Sequence, residues 1–293
     1  MIELPESFLA MPRWWSEGKE WLAGLPAAVE LQCELWGLQV DGAVSHGSNA
    51  IAVRVTRAGE PLVLRMTPPG PDVAEQTQAL RWWDGRGTVR LYDVDLARGA
   101  MLLERLGGSL LDEPVGEAMA VLGQLMRRLA VPAPPDVPST AANVRSRAAG
   151  LEAQWQRLGR PFDSALLAEA LAVAPQLSKT TSDLAANGDF HSDQVLRGDR
   201  EPWLVVDPLL YRGDLECDLA RILWTRVDEM ADGAEIREHF DTVVREAGLE
   251  AERARDWVVF RTVDYWLWGL AAGLTEDPER CRRILAAFRQ FSE

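Results

Sequence analysis

The rhythm of hydrophobic and polar positions along this chain changes once. In the first hundred residues the apolar positions come in short runs rich in Val, Leu and Ile, at 31–40, 50–57, 61–66, 88–94 and 100–104. Turn signals punctuate them at Asp41-Gly42, His46-Gly47 and Ala58-Gly59. Short runs bounded in this way predict strands. One stretch among them, 71–84, reads as a helix, with Pro71 in its first turn and Ala74, Leu80 and Trp83 on the buried side. The order is strand, strand, strand, helix, strand, strand.

After Leu106-Gly107-Gly108 the spacing becomes helical. Helices are predicted over 114–130, 141–158, 163–177, 215–230, 234–247, 251–273 and 278–291. The Pro-rich stretch 131–138 is a loop between two of them. A short strand pair, Val195–Arg197 and Trp203–Val206, turns at Gly198-Asp199-Arg200. The pattern predicts an α+β chain with a small β-rich N-lobe, 1–104, and a larger, mainly helical C-lobe, 105–293.

Composition narrows the function classes. At 293 residues and 47% hydrophobic, the chain can bury a sizeable core. Its net charge of -14 opposes binding to nucleic acid phosphates or anionic membranes. Cys33, Cys217 and Cys281 are odd in number and far apart, which argues against a disulfide framework or zinc and suits a cytoplasmic location. The N-terminal stretch lacks the basic flank and apolar run of a signal peptide. The apolar stretch from Trp257 to Leu274 carries Arg261 and Asp264, which favours a core helix over a membrane span. Isolated His46, His191 and His239 have no metal-site spacing, and they read as a loop residue, a packed residue and a helix-surface residue.

The chemistry concentrates in 187–223. Asp189 sits in a polar loop, and Asp207 ends the apolar strand Leu204-Val205-Val206. Asp214, Glu216 and Asp218 gather at the start of a helix, where a dipole favours them, and Asp214 and Asp218 read as structural. Phosphoryl transfer asks for a carboxylate near the acceptor hydroxyl, metal ligands on the phosphates and a cation on the nucleotide. Kinases space such an Asp five residues before an amide, with a metal-binding Asp on a later strand-turn. Asp189, Gln194 and Asp207 have that spacing.

These segments resemble the aminoglycoside phosphotransferase superfamily, whose pattern is H-G-D-x-H-x-x-N followed by an I-D-P type metal motif. The matching pieces are Gly188-Asp189-Phe190-His191, Val206-Asp207-Pro208, Gly213-Asp214 and Asp218-Leu219-Ala220. In the first lobe Asp84-Gly85-Arg86-Gly87 and Met101-Leu102-Leu103-Glu104-Arg105-Leu106 add a likeness to the streptomycin 6-phosphotransferase and hydroxyurea-resistance branch. The resemblance spans roughly 40–225. It implies a bilobal protein-kinase-like fold and an antibiotic-resistance type kinase. Such a kinase uses ATP and Mg to phosphorylate a small-molecule hydroxyl on an aminoglycoside, amino sugar or related metabolite.

The resemblance also implies roles. Asp189 is the catalytic carboxylate, and Gln194 and Asp207 are the metal ligands. Arg65 stands where the nucleotide-binding lysine is expected, with Glu75 as its ion-pair partner. Glu104 to Leu106 form the hinge that reads adenine, and the turn holding Ser48 covers the phosphates. Three positions depart from the pattern: Asn187 for His, Gln194 for Asn and Arg65 for Lys. Arg keeps the charge but is not interchangeable with Lys, and Gln adds a methylene before a metal that demands tight geometry. A pseudokinase that binds nucleotide or ligand is therefore the alternative, and a metal-dependent phosphoesterase ranks third. Residues 213–256 hold 13 acidic and 6 basic residues. Either they line a pocket for a cationic acceptor or they form a solvated acidic face.

Overall fold

Ile51, Val53 and Val55 alternate along one strand, and Leu62, Leu64 and Met66 along the next; all six are fully buried. The computed structural model describes residues 2–11, 14, 18–180 and 182–289. In it these six residues lie on β2 (Ile51–Arg57) and β3 (Glu60–Met66) of a five-stranded antiparallel sheet. Strands β1 (Gln39–His46), β4 (Leu91–Asp95) and β5 (Ala100–Glu104) complete it in the order β1-β2-β3-β5-β4. Its apolar face packs against Phe8 of α1 (Glu6–Leu9) and Leu25, Val29 and Cys33 of α2 (Lys19–Trp36).

The first expected strand, 31–40, is thus mostly helix. Residues 31–36 complete α2, which stops at Gly37 with φ 64°. The Leu38 N–H then donates to the Cys33 carbonyl at 2.8 Å, and the strand begins at Gln39. A short apolar run does not separate a buried helix end from a strand, and the left-handed glycine cap is what marks the boundary. Helix α3 (Pro71–Trp83) buries Val73, Gln76, Thr77, Leu80 and Trp83, whereas Ala74 is exposed, against expectation. Spacings of three and four residues set that face, and Ala74 falls off it.

The second compact unit is helical. Its elements are α4 (Val115–Leu129), α5 (Thr140–Arg157), α6 (Ser164–Leu177), α7 (Leu219–Arg226), α8 (Gly233–Ala247), α9 (Ala251–Ala271) and α10 (Glu276–Arg289). The expected helix 215–230 is shorter, with 3-10 turns on either side of α7. Helix α9 is the core of this unit, burying Trp257, Val258, Phe260, Val263 and Leu267. No helix among the described residues is long and apolar enough to cross a membrane. Helices α4 and α8 approach closely at Gly123, where a Cβ would meet the Val243 carbonyl at 2.8 Å. His239 on α8 is buried, not on the helix surface, because it falls on the side of α8 with Ile236, Phe240 and Val243. Gln290 and Phe291, the end of the expected last helix, lie outside the described residues.

Two small ladders interrupt the helices. β6 (Ala185–Ala186) pairs with β9 (Tyr211–Arg212), and β7 (Val195–Arg197) with β8 (Trp203–Val205). The chain divides into one unit of Met1–Gly107 with Gly198–Arg200, and another of Gly108–Arg197 with Glu201–Glu293.

Candidate active site

The loop after β6 needs glycine. Gly188 has φ +85°, and a Cβ there would lie 2.4 Å from the Tyr211 ring. Only glycine takes that conformation without cost and also fits beside the ring. The loop is organised by Asn187, which is 2% exposed. Its side-chain oxygen accepts from the backbone N–H of Leu209 at 3.1 Å and of Asp189 at 3.4 Å. Its amide nitrogen donates to Gln194 Oε1 at 3.4 Å. The β7–β8 ladder continues one step, with the Val206 N–H donating to the Gln194 carbonyl at 2.8 Å. Asp207 follows directly. One buried amide thus ties together the loop bearing Asp189, the turn bearing Gln194 and the strand end bearing Asp207.

A second anchor comes from the start of α7. The Asp218 carboxylate accepts from the Gly188 N–H and the Phe190 N–H, each at 3.2 Å. One helical turn on, Arg221 Nε donates to Asp189 Oδ1 at 2.9 Å. His191 sits beside this pair, its Nε2 3.8 Å from Asp189 Oδ2 and its Nδ1 3.7 Å from Asp193 Oδ1. The contact with His191 lowers the pKa of Asp193. The Asp189 side chain remains 41% exposed, so it can meet a ligand.

Burial raises the Asp218 pKa to about 6 against the opposing pull of the two N–H groups, with Arg261 also favouring the ionised form. A carboxyl raised in the folded state stabilises most below its unfolded value, and that benefit fades as pH rises through the folded value. Thermal stability should therefore fall by up to about 3 kcal/mol between roughly pH 4 and 6. Turnover should move the opposite way, rising through pH 6 as the ionised carboxylate grips both N–H groups. Asp218→Asn should abolish that acid limb in a pH–rate profile and lower kcat at pH 8.

The acidic excess of 213–256 is largely taken up internally. Asp214 is held by Arg253, Trp257 and Thr180. Asp232 and Glu250 cap helices, Asp228 pairs with Arg280 and Glu229 with Arg226. Glu216 is buried, and desolvation raises its pKa.

The first-unit residues are placed as follows. Arg65 lies on β3, opposite Ala52 on one side and Met101 on the other. Ser48 is exposed in the β1–β2 turn, which is steadied by Gly47 N–H to Ala50 O at 3.0 Å and Thr67 Oγ1 to Asn49 O at 2.9 Å. Glu104 ends β5. Its N–H donates to the Arg90 carbonyl at 3.0 Å, and its carboxylate accepts from Arg200 at 2.9 Å. Leu106 follows in the half-buried segment after it, where Arg105 reaches back to Asp41 at 2.7 Å. Glu75 is exposed on α3. The helix turns Gln76 inward in its place.

The Asp189 loop, the hairpin from Gln194 to Asp207 and the buried Asp218 at a helix start form one connected set. The family model of aminoglycoside/hydroxyurea antibiotic resistance kinases matches residues 35–273. The chain belongs to that family. It is 34% identical to a streptomycin 6-kinase of Streptomyces griseus over 268 residues, covering 88% of this chain and 87% of that one. It is 34% identical to a hydroxyurea phosphotransferase of Kitasatospora aureofaciens over 270 residues, covering 90% of this chain and 78% of that one. Its fold is that of a thermostable variant of aminoglycoside phosphotransferase APH(4)-Ia solved with ADP and hygromycin B (TM-score 0.62, 18% identity, covering 90% and 98%). This family member is a small-molecule kinase with a protein-kinase-like α+β fold.

For this kinase the donor set suits magnesium. Gln194 and Asp207 offer one amide and one carboxylate oxygen on adjoining strand ends, and magnesium takes one or two protein oxygens together with phosphates. No cluster of three or more His, Cys, Asp or Glu able to hold a metal occurs among the described residues. Sequence reasoning missed two arginines of the kinase. Arg221 had a signal, since it lies three residues after Asp218 and so shares its helix face. Arg200 had none: it sits in a hairpin turn, yet donates to the Thr88 carbonyl and Glu104 at 2.9 Å each.

Proposed function

We propose that this kinase transfers the γ-phosphate of ATP, with magnesium, to a hydroxyl of a small molecule. Asp189 receives the hydroxyl proton as the oxygen bonds to the γ-phosphorus, and the bond from that phosphorus to the β,γ-bridging oxygen breaks to release ADP. Arg221 holds the Asp189 carboxylate in place through its Nε. Gln194 and Asp207 would hold magnesium, which would supply charge neutralisation on the phosphates. Nucleotide binding falls to the first unit, through Arg65, the backbone around Ser48 and the segment Glu104–Leu106. The observation that carries this reading is the Asn187 side chain, which bonds the Asp189 N–H and the Gln194 amide at once. The carboxylate and the metal side therefore share one rigid anchor.

The test is ADP release from Mg-ATP across a panel of hydroxyl compounds, with phosphate on the acceptor confirmed by mass. Asp207→Ala and Gln194→Ala should both raise the magnesium concentration for half-maximal rate, by about 10-fold or more. Nucleotide binding without ADP release on any acceptor would contradict the reading.

A further inference from the structure

A pocket of about 570 Å³ opens in the helical unit where α4, α6 and α8 end and α9 begins. That volume is ordinary for a ligand site. Asp189 does not line it. Its charged lining is Arg127, Lys179, Asp214, Glu216, Glu250 and Arg253. Two of the three carboxylates are already engaged. Asp214 accepts from Arg253 Nε at 2.9 Å. Glu250, exposed, accepts from the N–H groups of Glu252 at 3.0 Å and Arg253 at 2.7 Å, as the cap of α9.

Glu216 is different. It is only 9% exposed, and among the described residues its carboxylate bonds nothing but its own backbone N–H. Burial, and then the charges of Asp214 and Glu250, raise its pKa. A buried carboxylate without a partner is costly until a cation joins it. Phosphoryl transfer makes no use of this one. The cations of the lining have the opposite need. Lys179 is exposed, and its ammonium has no partner among the described residues. Arg127, also exposed, donates to the Arg245 carbonyl at 3.2 Å and meets no carboxylate among them. Leu184, Leu215, Ala247 and Leu249 add apolar surface to the same walls.

We propose that this pocket is a second ligand site, separate from the reaction site, for a small dipolar ion. A cationic nitrogen of the ligand pairs with Glu216, a carboxylate pairs with Lys179 and Arg127, and a short apolar chain joins the two. Free amino acids with an amine at the end of an alkyl chain have this chemistry. A bare amine would leave Lys179 and Arg127 without an anion, and a bare carboxylate would leave Glu216 without a cation. The site does not depend on the phosphotransferase reading, since none of its groups is assigned to nucleotide, magnesium or acceptor.

The experiment is calorimetric titration of the full chain, without nucleotide, with L-lysine and 6-aminohexanoate, and with hexylamine and hexanoate as single-charge controls. A dipolar probe should bind about 10-fold tighter than either control, or more. Glu216→Gln keeps the shape and removes the charge, and should weaken that binding by about 10-fold or more. Lys179→Met alters an exposed side chain and should weaken it by about 2- to 5-fold, so the test survives if the buried substitution disturbs folding. Asp189→Asn should leave the affinity within about 2-fold, since long-range effects of one charge are screened. Three results would each overturn the proposal: no binding of either dipolar probe up to about 10 mM, an affinity indifferent to both Glu216→Gln and Lys179→Met, or hexylamine binding as tightly as the dipolar probes. Binding lost with Asp189→Asn would overturn it too, by placing the probe at the reaction site.

Discussion

Asp189→Ala is expected to cut kcat by about 10²- to 10⁴-fold, the range that a positioned proton acceptor supplies. Nucleotide affinity should stay within a few-fold, because Asp189 is assigned to the acceptor and not to the metal or the phosphates. Folding should be nearly unaffected. The side chain is 41% exposed, its backbone N–H bonds the Asn187 oxygen, and alanine preserves that N–H. Arg221 loses its carboxylate partner but keeps its place over the Trp224 ring, 4.5 Å from the centroid. Asp189→Asn keeps the shape and the bond geometry while removing the base, so it should be as inactive as the alanine variant. Steady-state rates on the best acceptor, paired with calorimetric binding of Mg-ADP, separate the two effects.

Asp214→Ala is expected to do the reverse, removing stability first. The Asp214 side chain is 4% exposed. It accepts from Arg253 Nε at 2.9 Å, from Trp257 Nε1 at 2.8 Å, and also from Thr180. Its backbone N–H donates to Thr140 Oγ1 at 3.1 Å. The carboxylate therefore joins α9 to Thr180 in the loop after α6, while the backbone N–H ties the same residue to α5. Alanine leaves a guanidinium, an indole N–H and a hydroxyl without their acceptor, and breaking one side of a buried pair costs about 3–5 kcal/mol. For a unit of this size the loss corresponds to a fall in Tm of roughly 10 °C. Asp214→Asn, which keeps one acceptor oxygen, should lose less. Thermal unfolding of the three proteins at pH 7 checks the order, wild type above Asn above Ala.

What the sequence discloses depends on how local the signal is. The Asp189 loop and the Asp207 strand end are readable because their spacing along the chain is also their chemistry. The hairpin between them follows from alternation and a glycine turn. Asp214 and Asp218 at a helix start are readable as structural charges, but their partners are not. Arg253 lies 39 residues away in sequence, and its meeting with Asp214 follows from the packing of α9. Residues 31–36 are misread as strand because six apolar-rich residues look alike in a buried helix end and in a strand. On α3 Glu75 is exposed and Gln76 is buried, since adjacent residues on a helix point about 100° apart. Arg261 is visible in the sequence only as a charge on an apolar helix, and Thr262 not at all. On an apolar helix an arginine reads as an interruption, and only packing shows that its guanidinium and the neighbouring hydroxyl share a pocket with Asp189.

The most direct measurement is a crystal structure with magnesium and a non-hydrolysable ATP analogue. The expected result is one magnesium ion coordinated at about 2.1 Å by Gln194 Oε1 and an Asp207 oxygen, bridging the analogue's phosphates, with the Asp189 carboxylate left uncoordinated. Nucleotide and metal bound elsewhere, or a metal held without Gln194 and Asp207, would contradict it.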